Sequence, residues 1–378
     1  MISEQPNLAA RLRDRIKRDG PLSFHDWMQA ALYDEHDGYY RRADRLRQGR
    51  TGDYRTLPET SPLFGATFAK YFARCHAELG APARWTILEV GAGRGDFAHA
   101  ALTTLQRNYP DVFKATRYLI DELGDEARVA AQIKLQSFSA CVQFCSLTDL
   151  TSFAGIIFSN ELIDAFPVHR VISERGEWRE LAVEINEANE FAWTTLSIEP
   201  RVTEYCEQIN LSLQDGQIYE VNLAAEDFIV RAASLINHGY LITVDYGAER
   251  EELLSAAHRF NGTLRSFHRH RMIDDALSHP GQKDLTTTID WTQVAATGSR
   301  AGLESFRFQR LDQFLIDEGL LDQISDYTTN LQDNAEVAMR NAAARQLIMP
   351  DGMAAHFQVC VQRRANQAPH IFTDLLKN

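Results

Sequence analysis

The stretch "WTILEVGAGRGDFAHAAL" constrains the fold more than any other part of the chain. An apolar run ends in three glycines over five positions and passes at once into an amphipathic, helix-forming segment. Glycines placed there let a strand turn sharply into a helix and let the backbone approach a ligand. Further apolar runs follow: "RYLIDEL", "CVQFCS", "GIIFSN" and, much later, "GYLITVDYG". Between the first of them lie "DFAHAALTTLQRNY" and "EARVAAQIKLQ", both at helical spacing. Strands alternating with helices predict an α/β fold, a doubly wound, mostly parallel Rossmann-like sheet covered on both faces. The final run "HFQVCVQRR" follows a helix and is expected to close that sheet as its antiparallel member.

Before the glycine turn the chain reads as helical, and residues 1–80 are taken as an N-terminal helical cap region. In it Phe64, Phe68, Tyr71, Phe72 and Cys75 recur at helical spacing and predict a buried face. Residues 81–378 are taken as the core, interrupted by an insertion at about 168–237. The insertion opens on a hairpin, "HRVISERGEWRELAVEI", and continues as helices near 204–213 and 226–236.

The chain has 378 residues and a net charge of −13. An acidic surface of that kind disfavours nucleic acid and anionic lipid as partners. The segment "RRADRLRQGRTGDYR" (41–55) is the basic exception, a solvated loop or a contact for an acidic partner. The five cysteines form no CxxC pair and the histidines are dispersed, so neither a disulfide framework nor a metal site is expected. No apolar run reaches the roughly 18 residues of a membrane helix. The N-terminus has no apolar signal core, and Glu4, Asp14 and Asp19 argue against a transit peptide; the expectation is a cytoplasmic protein.

The glycine spacing bears on the ligand. Gly91, Gly93 and Gly95 give G-x-G-x-G, where a dinucleotide turn has G-x-G-x-x-G, and Asp96 stands at the third position. A carboxylate at that helix start repels a pyrophosphate and suits a positively charged ligand without phosphates. S-adenosylmethionine is such a ligand. Glu89 is then expected to face its ammonium, and Glu122, after the second strand, to accept from both ribose hydroxyls. Asp121 takes that role if the register differs by one, and Asp149, after the third strand, is placed at the adenine edge.

With "SNELIDAFPVHRV" (159–171) the chain resembles a known family, the MidA-like methyltransferases, related to the mitochondrial arginine methyltransferase of respiratory complex I assembly. The likeness extends to "GPLSFHDWMQAALYDEHDGYY", "GDYRTLPETSPLFG", "LITVDYG", "GTLRSFHRHR", "PGQKDLTTTIDW" and "MPDGMAAHFQV", in that order. It implies a class I methyltransferase core whose inserted elements cover the active site. It also implies that "GDYRTLPE" folds over the cofactor, with Gly52, Asp53 and Glu59 as contacts, and that Asn160, Glu161 and Asp164 line the pocket by the transferred methyl. The chain departs from the family where it reads Thr56-Leu57-Pro58-Glu59 rather than Thr-Ser-Pro-Glu, and in "ELGD" after the second strand.

Methyl transfer needs the acceptor held in line and, where necessary, deprotonated. Asn160 and Glu161 follow the fourth strand, at the mouth of the sheet where ligands of such folds bind. Asp164 follows three residues later, so a helical turn would put both carboxylates on one face. Paired carboxylates match the planar fork of a guanidinium; helix capping is the plainer use for them. His268 and His270 are candidate bases or substrate contacts, more simply surface histidines. The sequence therefore predicts an S-adenosylmethionine-dependent methyltransferase acting on a protein arginine. A small-molecule O-methyltransferase and an assembly factor acting by binding are the alternatives.

Overall fold

The computed structural model describes residues 7–42, 57–268, 271–323, 331–349 and 352–364. The central sheet is built from β1 (Trp85–Val90), β2 (Thr116–Asp121), β3 (Val142–Phe144), β4 (Phe153–Asn160), β5 (Ile236–Asp245), β6 (Glu304–Arg310) and β7 (Gln358–Arg364). Their order across the sheet is 3-2-1-4-5-7-6. Strands β1 to β5 run parallel, and β7 lies antiparallel between β5 and β6. This is the α/β architecture expected from the alternation of strands and helices, and the terminal strand takes the antiparallel place.

Every residue of β1 is buried, as a parallel strand covered on both faces requires. On one face Trp85 and Ile87 join α3 (Pro62–Glu78) and α4 (Asp96–Asn108), with Phe64, Phe68, Phe72, Phe97 and Phe158 in one aromatic cluster. The Phe97 and Phe158 rings stack at 4.1 Å between centroids. On the other face Leu88 and Val90 pack with Ile157 and with α6 (Leu223–Leu235) and α7 (Trp291–Arg300).

Packing groups the N-terminal residues differently from a boundary at residue 80. Helix α3 belongs to the central core, because its Phe64-Phe68-Phe72 stripe lies against the sheet. The earlier helices α1 (Leu8–Asp19) and α2 (Phe24–Tyr33) pack on the insertion instead, through Leu12, Ile16, Trp27 and Met28 against Val168, Val183 and Leu285. Asn7 and Ser23 cap them, accepting from Ala10 N at 3.0 Å and Asp26 N at 3.1 Å. Leu22 and Ser23 then pair with Val183 and Ala182. That chain segment thus adds to the insertion sheet and roofs the mouth of the central one.

The insertion hairpin is His169–Glu174 and Glu177–Ile185, turning at Arg175 and Gly176 with φ of 55° and 84°. Two positive φ values make the tight turn whose twist suits adjacent antiparallel strands. Two further strands, Phe191–Leu196 and Ile218–Val221, complete the sheet. The helix expected near 204–213 is α5 (Pro200–Gln208): Pro200 fits its first turn, and Asn210 at φ 50° lies just beyond its end. Among the described residues no helix is long and apolar enough to cross a membrane.

Candidate active site

Strands β1 and β4 are neighbours, with Val90 opposite Ser159. Beyond β1 the chain turns towards α4, and beyond β4 towards the insertion, so the strand order reverses here and opens a crevice. A cavity of about 1030 Å³ lies over it, lined also by Gln29 and Tyr33 of α2, by α6, and by Arg265, Phe267, Asp284, Thr286 and Thr288. That volume stands at the top of the usual range for a small-molecule site.

One half is built on the glycine turn. Gly91 has φ 75°, a backbone shape that favours glycine, and a Cβ there would push the end of the Leu162 side chain aside, its Cδ1 lying 2.9 Å away. The Glu122 carboxylate accepts from Gly93 N and Gly124 N, each at 2.7 Å, which locks the two turns together. Glu89 lies buried on the α3–α4 face and accepts from the Tyr118 hydroxyl at 2.6 Å. Burial pushes the Glu89 carboxyl up to about 8, against the pull of that hydrogen bond. Asp96 opens α4 and is ion-paired with Lys134, so its charge at the helix start is answered.

The expected residues do not all share the cavity. Glu89, Gly91, Gly93, Glu122, Asp121 and Glu59 line it. Gly95 is absent from the lining; a Cβ there would press on Ala131 at 3.2 Å, so its smallness serves helix packing. Asp149 is absent too. The short helical turn Leu147–Asp149 presents Leu147 to the cavity, and the Asp149 carboxylate takes the Thr148 hydroxyl at 3.3 Å. Asp121 accepts Leu147 N at 2.8 Å, a contact that braces the segment after β3. Gly52, Asp53, Arg45 and His270 lie outside the described residues, as does part of "GDYRTLPE", and the His268 side chain is not described.

The other half carries the acids after β4. Glu161 sits at φ 50°, an unfavourable conformation for a side chain of its size, and its N–H goes to Val244 O at 2.9 Å. Its carboxylate takes Asn160 Nδ2 at 3.0 Å. Burial and the nearby Asp164 charge push the Glu161 carboxyl up to about 8, opposed by Asn160 and the Leu57 backbone. Asp164 is buried in a short helical turn, Ile163–Ala165, rather than a full helix. The Tyr246 hydroxyl donates to its Oδ2. Burial raises Asp164 to about 6, and that hydrogen bond and the Arg265 charge hold it down.

Several contributors were not singled out from the sequence. Asp245, at the end of β5, is wholly buried and accepts from Ile163 N at 3.1 Å, Asp164 N at 3.3 Å and Tyr246 N at 2.9 Å. It thereby shapes the turn that carries Asp164. Burial and the Asp164 charge raise its carboxyl well above the usual range. Tyr33 donates to Ala165 O at 3.0 Å, and Tyr40 to Asp284 Oδ1 at 2.8 Å; all three side chains line the cavity. Arg265 lies over the Tyr246 ring at 4.5 Å and donates to Thr288 at 2.9 Å. Position at the end of a strand next to β4 could have pointed to Asp245 and Tyr246. Nothing local marks Tyr33 or Asp284.

Comparison with known proteins agrees with this geometry. Residues 67–309 match the family described as "Putative S-adenosyl-L-methionine-dependent methyltransferase". The chain is 25% identical over 312 residues to the mitochondrial protein arginine methyltransferase NDUFAF7 homolog of Drosophila melanogaster, covering 76% of this chain and 69% of that one. The mitochondrial NDUFAF7 of Xenopus tropicalis is also 25% identical, over 304 residues, covering 73% and 67%. A Burkholderia thailandensis protein solved with S-adenosyl-homocysteine superposes with a TM-score of 0.84 at 27% identity, covering 96% of this chain and 92% of that one.

These relatives correct the expected compartment. The curated proteins just named are mitochondrial, which overturns the cytoplasmic expectation. Net charge and the lack of an apolar N-terminal run describe a surface, and a surface does not carry an address. The turn, its acidic partners, the sheet order and the family match lead to one conclusion: the chain belongs to the MidA-like family of S-adenosylmethionine-dependent methyltransferases.

Proposed function

We propose that this methyltransferase modifies the guanidinium of a protein arginine, and that Glu161, Asp164 and Asn160 receive it. One observation carries the proposal: the acceptor half offers buried acceptors that lack donors. Asp164 Oδ1 and Asn160 Oδ1 are both buried without a hydrogen-bond partner, and both residues line the cavity. Glu161 and Asp284 add carboxylates to the same wall. Buried acceptors left unpaired are costly, and a planar cation with five N–H donors answers them together. The relatives named as protein arginine methyltransferases support the same class of acceptor.

The residues towards the cofactor fit it by their chemistry. Gly91 leaves backbone exposed at the turn, Glu122 is fixed where vicinal hydroxyls can be accepted, and Glu89 is a buried carboxyl that a nearby ammonium would ionise. We assign Glu89, Gly91, Gly93 and Glu122 to cofactor binding, with Glu59 at the rim of the acceptor half. Bound S-adenosylmethionine supplies the electrophilic methyl. The chain's own task is to orient the acceptor nitrogen and take its proton. Asp164, held by Tyr246 at one oxygen and open at the other, is suited to orient; Glu161, raised to about 8 by burial and by the Asp164 charge, is suited to take the acceptor's proton once the positive charge of the guanidinium has favoured its ionised form.

The experiment is transfer of labelled methyl to peptides that differ only in arginine or lysine, beside a panel of small hydroxyl acceptors. Label on the arginine nitrogen alone is the expected result. Label confined to small hydroxyl acceptors would replace this reading with the O-methyltransferase one.

A further inference from the structure

Helix α6 follows the insertion strand Ile218–Val221 and reaches both halves of the cavity. At its start Asn222 caps the helix, accepting from Ala225 N at 2.9 Å, while its Nδ2 donates to Ile163 O at 3.2 Å in the turn that carries Asp164. Further along the helix stands Arg231, which lines the cavity. Its guanidinium crosses to the segment after β3. Nε and Nη2 donate to Leu147 O at 3.2 and 2.9 Å, and Nη2 also reaches Thr148 O at 2.9 Å and Leu150 O at 2.8 Å.

These partners are three main-chain carbonyls. The segment they belong to follows a strand, β3, that is three residues long and ends at Phe144. Cys145, Leu147 and Leu150 pack against the core, and Cys145 N donates to Ile120 O at 2.9 Å and Leu147 N to the Asp121 carboxylate at 2.8 Å. Leu147 lines the cavity that Glu122 also lines, as do the apolar Leu123, Ala127, Leu162 and Phe228. Apolar lining of that kind suits the flat base of the cofactor.

We propose that Arg231 is a positioning residue for the cofactor: by holding the carbonyls of Leu147, Thr148 and Leu150 it sets the wall on which the adenine rests. The inference rests on the placement of the cofactor along Gly91, Gly93 and Glu122 proposed above. A guanidinium suits the task because its fixed fork engages several carbonyls at once, which a single ammonium does with less geometric control. The same helix holds the Asp164 turn through Asn222, so one rigid element spaces the base wall from the acceptor acids.

The test is S-adenosyl-homocysteine binding by calorimetry to Arg231→Ala, Arg231→Lys and Glu122→Ala, with hydrogen exchange of residues 145–152 in each complex. Arg231→Ala is expected to bind roughly tenfold or more weaker, the scale of losing hydrogen bonds to a charged group. Its 145–152 amides should stay fast-exchanging with ligand bound, at an unchanged melting temperature. Arg231→Lys should recover part of the affinity. In turnover, KM for S-adenosylmethionine should rise while kcat holds. Wild-type affinity in Arg231→Ala, with Glu122→Ala weakened, would overturn the role of Arg231 alone. A general loss of stability with exchange raised throughout would overturn it too, by making Arg231 a brace of the fold. Wild-type affinity in Glu122→Ala would instead remove the cofactor placement beneath the inference.

Discussion

The carboxylate of Glu122 accepts the amide of Gly93 at 2.7 Å, which ties the turn after β1 to the residue after β2. Loss of either member should therefore be felt by the cofactor. Glu122→Ala is expected to weaken S-adenosyl-homocysteine binding by roughly 1.5–3 kcal/mol, the range for hydrogen bonds to a charged group. Gly93 has φ 53°, which a β-branched residue adopts only with strain, so Gly93→Val should abolish binding. Calorimetry on both variants, with circular dichroism to confirm folding, checks this. Wild-type affinity in both would count against the assignment of the turn.

Turnover should depend on the acids after β4. Glu161→Gln keeps the shape and removes the group that can take a proton, so cofactor affinity should survive. Methyl transfer should fall by on the order of 100-fold or more, the scale of a positioned acid–base group. Asp164→Asn is expected to lose a similar or smaller factor, since Tyr246 and Asp245 still hold its turn. His268→Ala should matter little. Single-turnover transfer to an accepted peptide decides, and full activity in Glu161→Gln would remove it from the chemistry.

Stability should respond to pH through the buried acids. Glu89 and Glu161 are raised from 4.5 to about 8 on folding, so between those values the folded chain binds more protons than the unfolded one. Their contribution is whole below the ordinary carboxyl range and is lost as pH climbs through about 8. The ligand-free protein is thus expected to melt progressively lower from pH 5.5 to 8.5. S-adenosyl-homocysteine, whose ammonium favours an ionised Glu89, should raise the melting temperature more at pH 8 than at pH 6. Thermal denaturation with and without ligand measures both; a ligand-free melting temperature that climbs over this interval contradicts the prediction.

Arg41 is more than a charge in a basic segment. It lines the cavity and donates to Leu123 O at 3.0 Å, one residue after Glu122. Arg41→Ala is expected to weaken S-adenosyl-homocysteine by about 0.5–1.5 kcal/mol, the net worth of one such bond. Because the partner is a backbone carbonyl, the effect should change little between low and high salt. Titration at two salt concentrations separates this from a purely electrostatic contribution, which would fade as salt rises.

The central architecture and the cofactor were legible along the chain. Strand runs, helical spacing and the glycine turn are local patterns, and local patterns dictate which elements form and how parallel strands must be connected. The pair Glu161 and Asp164 was legible for the same reason, standing at the end of a strand where ligands of such sheets bind. Tertiary structure decided the rest. Leu147 and not Asp149 faces the cavity, because a single short helical turn sets which side chain points inward. Gly95 serves the packing of α4 on Ala131. Tyr33, Asp284 and Arg231 line the site and Asp245 holds its Asp164 turn, all from segments far apart in the chain, brought in by the pairing of Leu22–Ser23 with Ala182–Val183, by strand order and by one helix. Contacts at that separation leave no periodicity in the sequence, since what selects them is the closing of the roof over the sheet.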